Sequence, residues 1–384
     1  MSSQDVENDD MEIWVKVGKN LLKAGVFKNP LTDTLIELVK NSISEEQAKF
    51  LSIFDKPELN INQIKERTEL DDISLENMLE SLMKDGIIMG TKEDGVILGL
   101  LSKPTGIMVY RLLPLYPGIF ELAFMRGETG EKERKLALLF DKIFEEMVPG
   151  VQGSQKKYDR TVKFYKNLPA FDRVIPVEEE MEIPPEKILP LEEVKKLIEK
   201  HDVIGIARCY CRHEKDLLNK PCKVTDSRDN CMYFGKFGQY LIDYEFAKPI
   251  SKEKARKILK ESEESGLVHK TIHFNLNPKW DEIAICSCCK CCCGIFDVYY
   301  RGVVPLHSIT SYLSKVDKDV CAGCGTCVER CPTEAIELID DIAIINEAKC
   351  IGCGICAHFC PEEAISLERT GPRDVFIPPP IISH

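Results

Sequence analysis

The sequence predicts an α+β chain of several domains: a helix-rich N-terminal part, a cysteine-rich central α/β region, and a C-terminal cysteine repeat. Three observations carry this. Residues 44–101 hold three short amphipathic helical patterns, then two apolar runs around Glu93-Asp94-Gly95, a hairpin signal. Within 203–315, strand-length apolar runs alternate with helical patterns, and ten cysteines fall in two groups, 209–231 and 286–293. Within 316–370, Cys-x-x-Cys-x-x-Cys-x-x-x-Cys-Pro occurs twice. The rest reads as an acidic N-terminal segment and helix (1–43), a connecting region (102–202) and a Pro-rich tail (371–384).

The C-terminal repeat is the most specific signal. Cys321, Cys324, Cys327 and Cys331-Pro332 return as Cys350, Cys353, Cys356 and Cys360-Pro361 at a constant offset of 29 residues. From Cys321–Leu338 onto Cys350–Leu367, 11 of 18 positions are identical, so the stretch is an internal duplication. A cubane iron–sulfur cluster needs four thiolates converging on one small inorganic core, and cysteines at i, i+3 and i+6 wrap a loop around it. Gly323, Gly325, Gly352 and Gly354 let the backbone come close with positive φ and turn amide N–H groups toward the cluster's negative charge. Zinc sites use two separated pairs, which this pattern is not. The stretch resembles a bacterial-type ferredoxin with two [4Fe–4S] clusters over roughly Val316–Arg369. The resemblance implies that the fourth cysteine of each run ligates the other run's cluster. One cluster then sits on Cys321, Cys324, Cys327 and Cys360, the other on Cys350, Cys353, Cys356 and Cys331.

Composition sets outer bounds. The chain has 384 residues, room for two or three domains, and a net charge of −12 from 51 basic and 63 acidic residues. An acidic chain is a poor nucleic-acid ligand. Met1–Asp10 is acidic and polar, unlike a signal peptide, and is expected to be disordered. The most apolar run, Ile107–Met125, is broken by Arg111, Pro114, Pro117 and Glu121 and is expected to be buried rather than to span a membrane. A cytoplasmic location is expected. There, eighteen cysteines mean metal rather than disulfides.

Taken in order, residues 11–42 suit one or two helices. Ser44 with Gln47 forms a capping box for a helix to about Asp55. Asn62–Glu69 reads as a second helix, and Ser74 as the cap of a third, with Leu75, Met78, Leu79, Leu82 and Met83 on one face. Asp85-Gly86 ends it, and Ile87–Met89 and Val96–Leu100 form a hairpin. Residues 44–101 thereby resemble a winged helix-turn-helix domain. That fold often reads DNA with its third helix. Here that helix presents Glu76, Glu80 and a single Lys84, so docking to protein is the expected use. A helix is expected near Glu131–Met147, and Tyr110, Tyr116, Phe120 and Phe124 are expected in the core rather than around a cofactor. A break at Gly150–Ser154 precedes a basic strip of Lys156, Lys157, Arg160, Lys163 and Lys166, a solvated face or a docking site for an acidic partner. Helices are expected at Leu191–His201, at Met232–Phe246 and from Ser251 to before Gly266, with strands at Val203–Ala207, Leu267–Phe274 and Ile283–Ile285.

The ten central cysteines are Cys209, Cys211, Cys222 and Cys231, then Cys286, Cys288, Cys289, Cys291, Cys292 and Cys293. Such clustering points to one or two further iron–sulfur clusters. The simplest assignment puts one on Cys209, Cys211, Cys222 and Cys231 and another on four of the later six; sharing between the groups is equally open, and zinc on the first four is the rival by ligand type. Arg212 and His213 beside Cys211 suit a role in raising a cluster's potential or an ordinary surface pair. His269 and His273 share a strand face, and His358 lies in the last ferredoxin loop; all three read first as structural or solvated.

The whole chain resembles the multi-cluster 4Fe–4S proteins of anaerobes. No phosphate loop, dinucleotide fingerprint or nucleophile elbow is present, so flavin and nicotinamide have no support. The expectation is a non-catalytic electron carrier or oxidoreductase subunit that passes electrons between redox partner proteins, without nucleic acid or a membrane span. The alternatives are a reductase with a substrate-binding central cluster and a redox-responsive regulator using the winged helix. The first requires an open iron position; the second requires a basic recognition helix, which is absent.

Overall fold

The computed structural model describes residues 3–382 apart from 26, 28, 93–105, 171, 178–193 and 273–282. They form two compact units. The first comprises residues 1–147 with 213–220 and 244–246. Its elements are α1 (Ser3–Ala24), α2 (Asp33–Ser42), α3 (Glu45–Leu51), β1 (Glu58–Asn60), α4 (Ile61–Lys65), α5 (Asp72–Lys84), β2 (Ile88–Lys92), β3 (Met108–Leu112), α6 (Phe120–Met125) and most of α7 (Glu131–Gln152). α1 takes in residues 3–10, expected to be disordered. α3 opens on the expected capping box: Ser44 Oγ accepts from the Gln47 amide at 3.1 Å, and Gln47 Oε1 from the Ser44 amide at 2.8 Å. α4 uses the same device at Asn60 and Gln63, so it starts at Ile61 and stops at Lys65, short of the expected Glu69. Asp71, not Ser74, caps α5; its carboxylate accepts from the Ser74 amide at 2.9 Å. The buried face of α5 is Leu75, Met78, Leu79, Leu82 and Met83.

β3 pairs antiparallel with both β1 and β2, giving the order β1-β3-β2. Among the described residues β2 pairs with a strand of the apolar run, and the expected Val96–Leu100 lies outside them. Phe120 and Phe124 pack edge-to-face on Phe140 of α7, at 5.0 and 6.0 Å between ring centroids. With Tyr110 also buried, these aromatics are core. No helix among the described residues is long and apolar enough to cross a membrane.

The second unit comprises residues 148–212, 221–243 and 247–384. α7 continues through Gly150 to Gln152, so the expected break shrinks to Gly153 and Ser154, and Ser154 caps α8 (Gln155–Lys166). Then follow β4 (Asp172–Ile175), α9 (Val194–Lys200), β5 (Ile204–Arg208), α10 (Tyr210–Leu217), β6 (Asp229–Phe234), α11 (Gly235–Asp243), β7 (Lys248–Pro249), α12 (Lys252–Glu264), β8 (Val268–Ile272), β9 (Ala284–Cys288), α13 (Gly294–Tyr300), β10 (Leu306–Val316), α14 (Thr326–Arg330), β11 (Ile336–Ile339), β12 (Ile342–Ile345), α15 (Ile355–His358) and β13 (Ile365–Ile377). The expected helix at Met232–Phe246 is a strand up to Phe234 and a helix only from Gly235.

Eight of these strands form one sheet, ordered β13-β10-β4-β8-β9-β6-β5-β7. β10 and β4 run parallel; the other neighbours are antiparallel. Successive side chains of a strand face opposite ways. Accordingly Ile175 joins a core with Leu197, Ile258 and Leu259 from α9 and α12, while its neighbour Val174 joins a second core with Phe296 and Tyr299 of α13. β10 and β13 pair from Leu306–Ile377 to Val316–Ile365, and the cysteine repeat lies between them. The strand continues past residue 370 to Ile377, so the start of the expected tail is sheet.

Candidate metal centres

The duplicated sequence folds into duplicated structure. Gly325 and Gly354 stand before α14 and α15 with φ of 79° and 81°. The Ala335 amide donates to Cys331 Sγ at 3.2 Å, and the Ala364 amide to Cys360 Sγ at 3.3 Å. Gly323 and Gly352 hold φ of 65° and 62°; a Cβ there would run into the carbonyl oxygens of Asp341 and Tyr312 respectively. One hollow is lined by Cys321, Cys324, Cys327 and Cys360, and a second by Cys331, Cys350, Cys353 and Cys356. Each hollow thus offers four thiols, three from one run and the fourth from the other.

The two hollows differ in their surroundings. Cys324 is exposed and Cys321 and Cys360 are half-buried, whereas all four cysteines of the second hollow are buried. Burial pushes the Cys353 thiol well up and takes Cys356 to about 12, while a hydrogen bond with Thr326 lowers Cys324. Ser314 Oγ on β10 accepts from Cys356 Sγ at 3.2 Å. Arg373 on β13 donates to the carbonyls of Cys350, Tyr312 and Glu347, fastening the second run to the large sheet.

The ten central cysteines divide differently from the simplest assignment by sequence order. β5 delivers Cys209, the first turn of α10 carries Cys211, and β6 carries Cys231, which lies in register beside Cys286 of β9. β6 separates β5 from β9, two strands that the sequence alone allows to sit side by side. Cys288 follows two residues on along β9, on the same face, and Cys293 is the residue before α13. Each of these six thiols interacts electrostatically with the two beside it, in a closed ring Cys209–Cys231–Cys286–Cys288–Cys293–Cys211. The neighbouring thiols hold Cys209, Cys286 and Cys293 low and Cys231, Cys288 and Cys211 high.

The other four, Cys222, Cys289, Cys291 and Cys292, bring their sulfurs within 4.8 Å of one another. Two buried cations serve these groups. Arg212, 0 % exposed, donates to Asn230 Oδ1 at 2.7 Å and the Ser287 carbonyl at 2.8 Å. Burial opposes its charge, but thiolates at Cys209, Cys289, Cys231 and Cys222 outweigh burial and raise its pKa. Lys270, 2 % exposed, pairs with Asp172 at 2.9 Å; burial again opposes the charge, and Asp172, Cys288 and Cys293 outweigh it. Arg212 is conspicuous in the sequence beside Cys211. Lys270, Asp172 and Ser314 escape sequence reasoning, and the one available signal is a lysine at a buried position of an apolar strand.

Among the described residues no histidine joins the four converging sulfurs. His213 places Nε2 2.7 Å from the Glu128 carbonyl oxygen. His269 contacts Ser287 Oγ at 3.1 Å, His358 stacks edge-on to Phe359 at 4.8 Å, and His273 lies outside the described residues. The basic strip of α8 is exposed at Lys156, Lys157, Arg160, Lys163 and Lys166.

Comparison with known proteins bears on the C-terminal part. Residues 317–365 match the 4Fe-4S dicluster domain family. A probable ferredoxin of Methanosarcina thermophila is 50% identical over 38 residues, which is 10% of this chain and 66% of that protein. A CoB–CoM heterodisulfide reductase iron-sulfur subunit from Methanopyrus kandleri is 52% identical over 33 residues, 9% of this chain and 5% of that protein. The chain therefore spans less than two thirds of either relative. No solved structure matches. Residues 317–365 are a 4Fe-4S dicluster domain of ferredoxin type.

Proposed function

We propose that the chain relays electrons through several iron–sulfur clusters between redox partner proteins. The observation that carries this reading is one shared core. Cys353 of the second hollow and Cys293 of the six-thiol ring belong to the same apolar cluster, with Phe296 and Ile351 among its members. The Tyr300 hydroxyl, one helix turn beyond, donates to the Pro332 carbonyl at 2.7 Å, next to Cys331. In this reading Cys321, Cys324, Cys327 and Cys360 hold the outer cubane, where exposed Cys324 faces a partner. Cys331, Cys350, Cys353 and Cys356 hold the inner one. The ring supplies the four thiolates a cubane takes and two more, and holds a third cluster beside two buried cations. The clusters supply one-electron chemistry; the chain supplies ligation, spacing and a dry path between the inner hollow and the ring. That the relatives are a ferredoxin and part of a redox enzyme agrees with redox partners.

The first unit fits the same role as a docking module. Its order α3-β1-α4-α5-β2-β3, with β3 between β1 and β2, supports the winged-helix reading. α5 shows Glu76 and Glu80 outward and pairs Lys84 with Glu80 at 3.3 Å, a surface suited to protein rather than phosphate.

The test is a Cys209→Ser, Cys211→Ser double variant beside the unaltered chain, both purified without oxygen and titrated by EPR. The unaltered chain is expected to hold more than about eight irons, the content of two cubanes, and the variant about eight. About eight irons in both proteins, the content of two cubanes, sinks the third cluster. A third cluster that electrons entering through the C-terminal pair do not reduce sinks the relay.

A further inference from the structure

We propose that Cys222, Cys289, Cys291 and Cys292 form a closed tetrahedral site for one zinc ion, distinct from the iron–sulfur relay and independent of it. The distances between the four sulfurs are those of a single-ion site. Cys222 Sγ lies 3.7 Å from Cys289 Sγ and 3.8 Å from Cys291 Sγ, and Cys291 Sγ lies 3.6 Å from both Cys289 Sγ and Cys292 Sγ. Four thiolates about 2.3 Å from a single ion at tetrahedral angles stand roughly 3.8 Å apart. A cubane spreads its ligands further, because each thiolate binds a different iron and points away from the core. Among the described residues, this is the group of three or more ligand atoms that converges within 4.8 Å; the dicluster cysteines line hollows instead.

The setting matches a structural ion. All four positions are filled by protein thiols, leaving none for water or substrate, as in zinc sites that hold a fold together. Cys222 lies in the stretch between α10 and β6, where residues 218–228 form neither helix nor strand, and its partners are 67 to 70 residues further along the chain. Cys289 and Cys292 are buried around Leu267, with Cys222 and Cys291 packed against them. The Val224 amide donates to Cys222 Sγ at 3.5 Å, as the second sphere of a thiolate ligand does. Four thiolates on a divalent ion leave two negative charges, and the buried guanidinium of Arg212 offsets part of them. A four-thiolate site binds zinc ahead of ferrous iron in the affinity order of divalent metals.

The full chain, purified anaerobically, is expected to carry one zinc in addition to its iron and sulfide. X-ray absorption at the zinc edge should show four sulfurs at about 2.3 Å. In Cys222→Ser the zinc should fall to background, with iron and sulfide unchanged. Chain produced with cobalt in place of zinc should show intense sulfur-to-cobalt charge-transfer bands that the variant lacks. Absence of zinc, with iron and sulfide falling together in Cys222→Ser, would mean a cluster and overturn the proposal. Sulfide-free iron at these cysteines, or nitrogen and oxygen around the zinc, overturns it equally. Should Cys222→Ser fail to fold, the absorption spectrum of the unaltered chain still decides. Because iron and sulfide are read from the same samples, failure of the zinc site and failure of the relay look different.

Discussion

A charge without access to water needs an internal counterpart, and for Arg212 that counterpart is sulfur. Its guanidinium also spans β6 and β9, through Asn230 and the Ser287 carbonyl. Arg212→Ala should cost about 3–5 kcal/mol, the range for breaking a buried charge network, in anaerobic denaturant unfolding. Without the cation, adding an electron nearby becomes harder, so the potential of the central cluster should also fall in a redox titration. Ser314 acts on a smaller scale. Hydrogen bonds to cysteine sulfur help set cluster potentials, and Ser314 makes one to Cys356. Ser314→Ala should lower the potential of one C-terminal cluster and leave the other in place; equal movement of both, or of neither, would remove Ser314 from the inner site. These residues show where single-residue reading reaches. The cysteines announce themselves by number, whereas Ser314 counts only because β10 passes the second hollow.

Among the elements, the loop that opens the second run tolerates least. Gly352→Ala would place a methyl on the Tyr312 carbonyl and beside Thr310 Oγ1, at positive φ. Gly371 on β13 has a similar φ of 78° but open space around it. Gly371→Ala should therefore cost only about 1–3 kcal/mol of backbone strain and keep both C-terminal clusters. Gly352→Ala should shed the inner cluster, seen as a loss of about half the iron of the dicluster domain. Local signals foretell the elements that local chemistry decides. The Ser44–Gln47 capping box, the buried stripe of α5 and the Ser251 cap of α12 are readable because each needs only a few adjacent residues. Pairing across long stretches is not. β2 pairs with β3, which begins only at Met108, and Tyr233 and Phe234 go to a strand because β9 lies beside them. Cys222 meets Cys289 for the same reason: nothing between residues 218 and 228 repeats with a period that would place it.

At the scale of the whole molecule, charge decides what approaches. Residues 1–101 carry 11 basic and 20 acidic residues, a net charge of −9. The chain should therefore show no salt-dependent binding to duplex DNA in electrophoretic shifts at physiological ionic strength; measurable binding would restore the regulator reading. The junction of β10 and β13 has a different consequence. Val316 and Ile365 are register partners, so the chain leaves the large sheet and returns to it at one point. A segment whose ends already touch can be inserted, lost or traded with little effect on the path of the surrounding chain. The dicluster domain is in this sense a socketed part. Exchanging residues 317–364 for the equivalent stretch of another two-cluster ferredoxin, with Ser314 and Arg373 left in the host, should transplant that ferredoxin's potentials while the zinc content stays the same. A lineage could then retune the voltage at which electrons enter this protein by recombination alone, without touching the sheet that receives them.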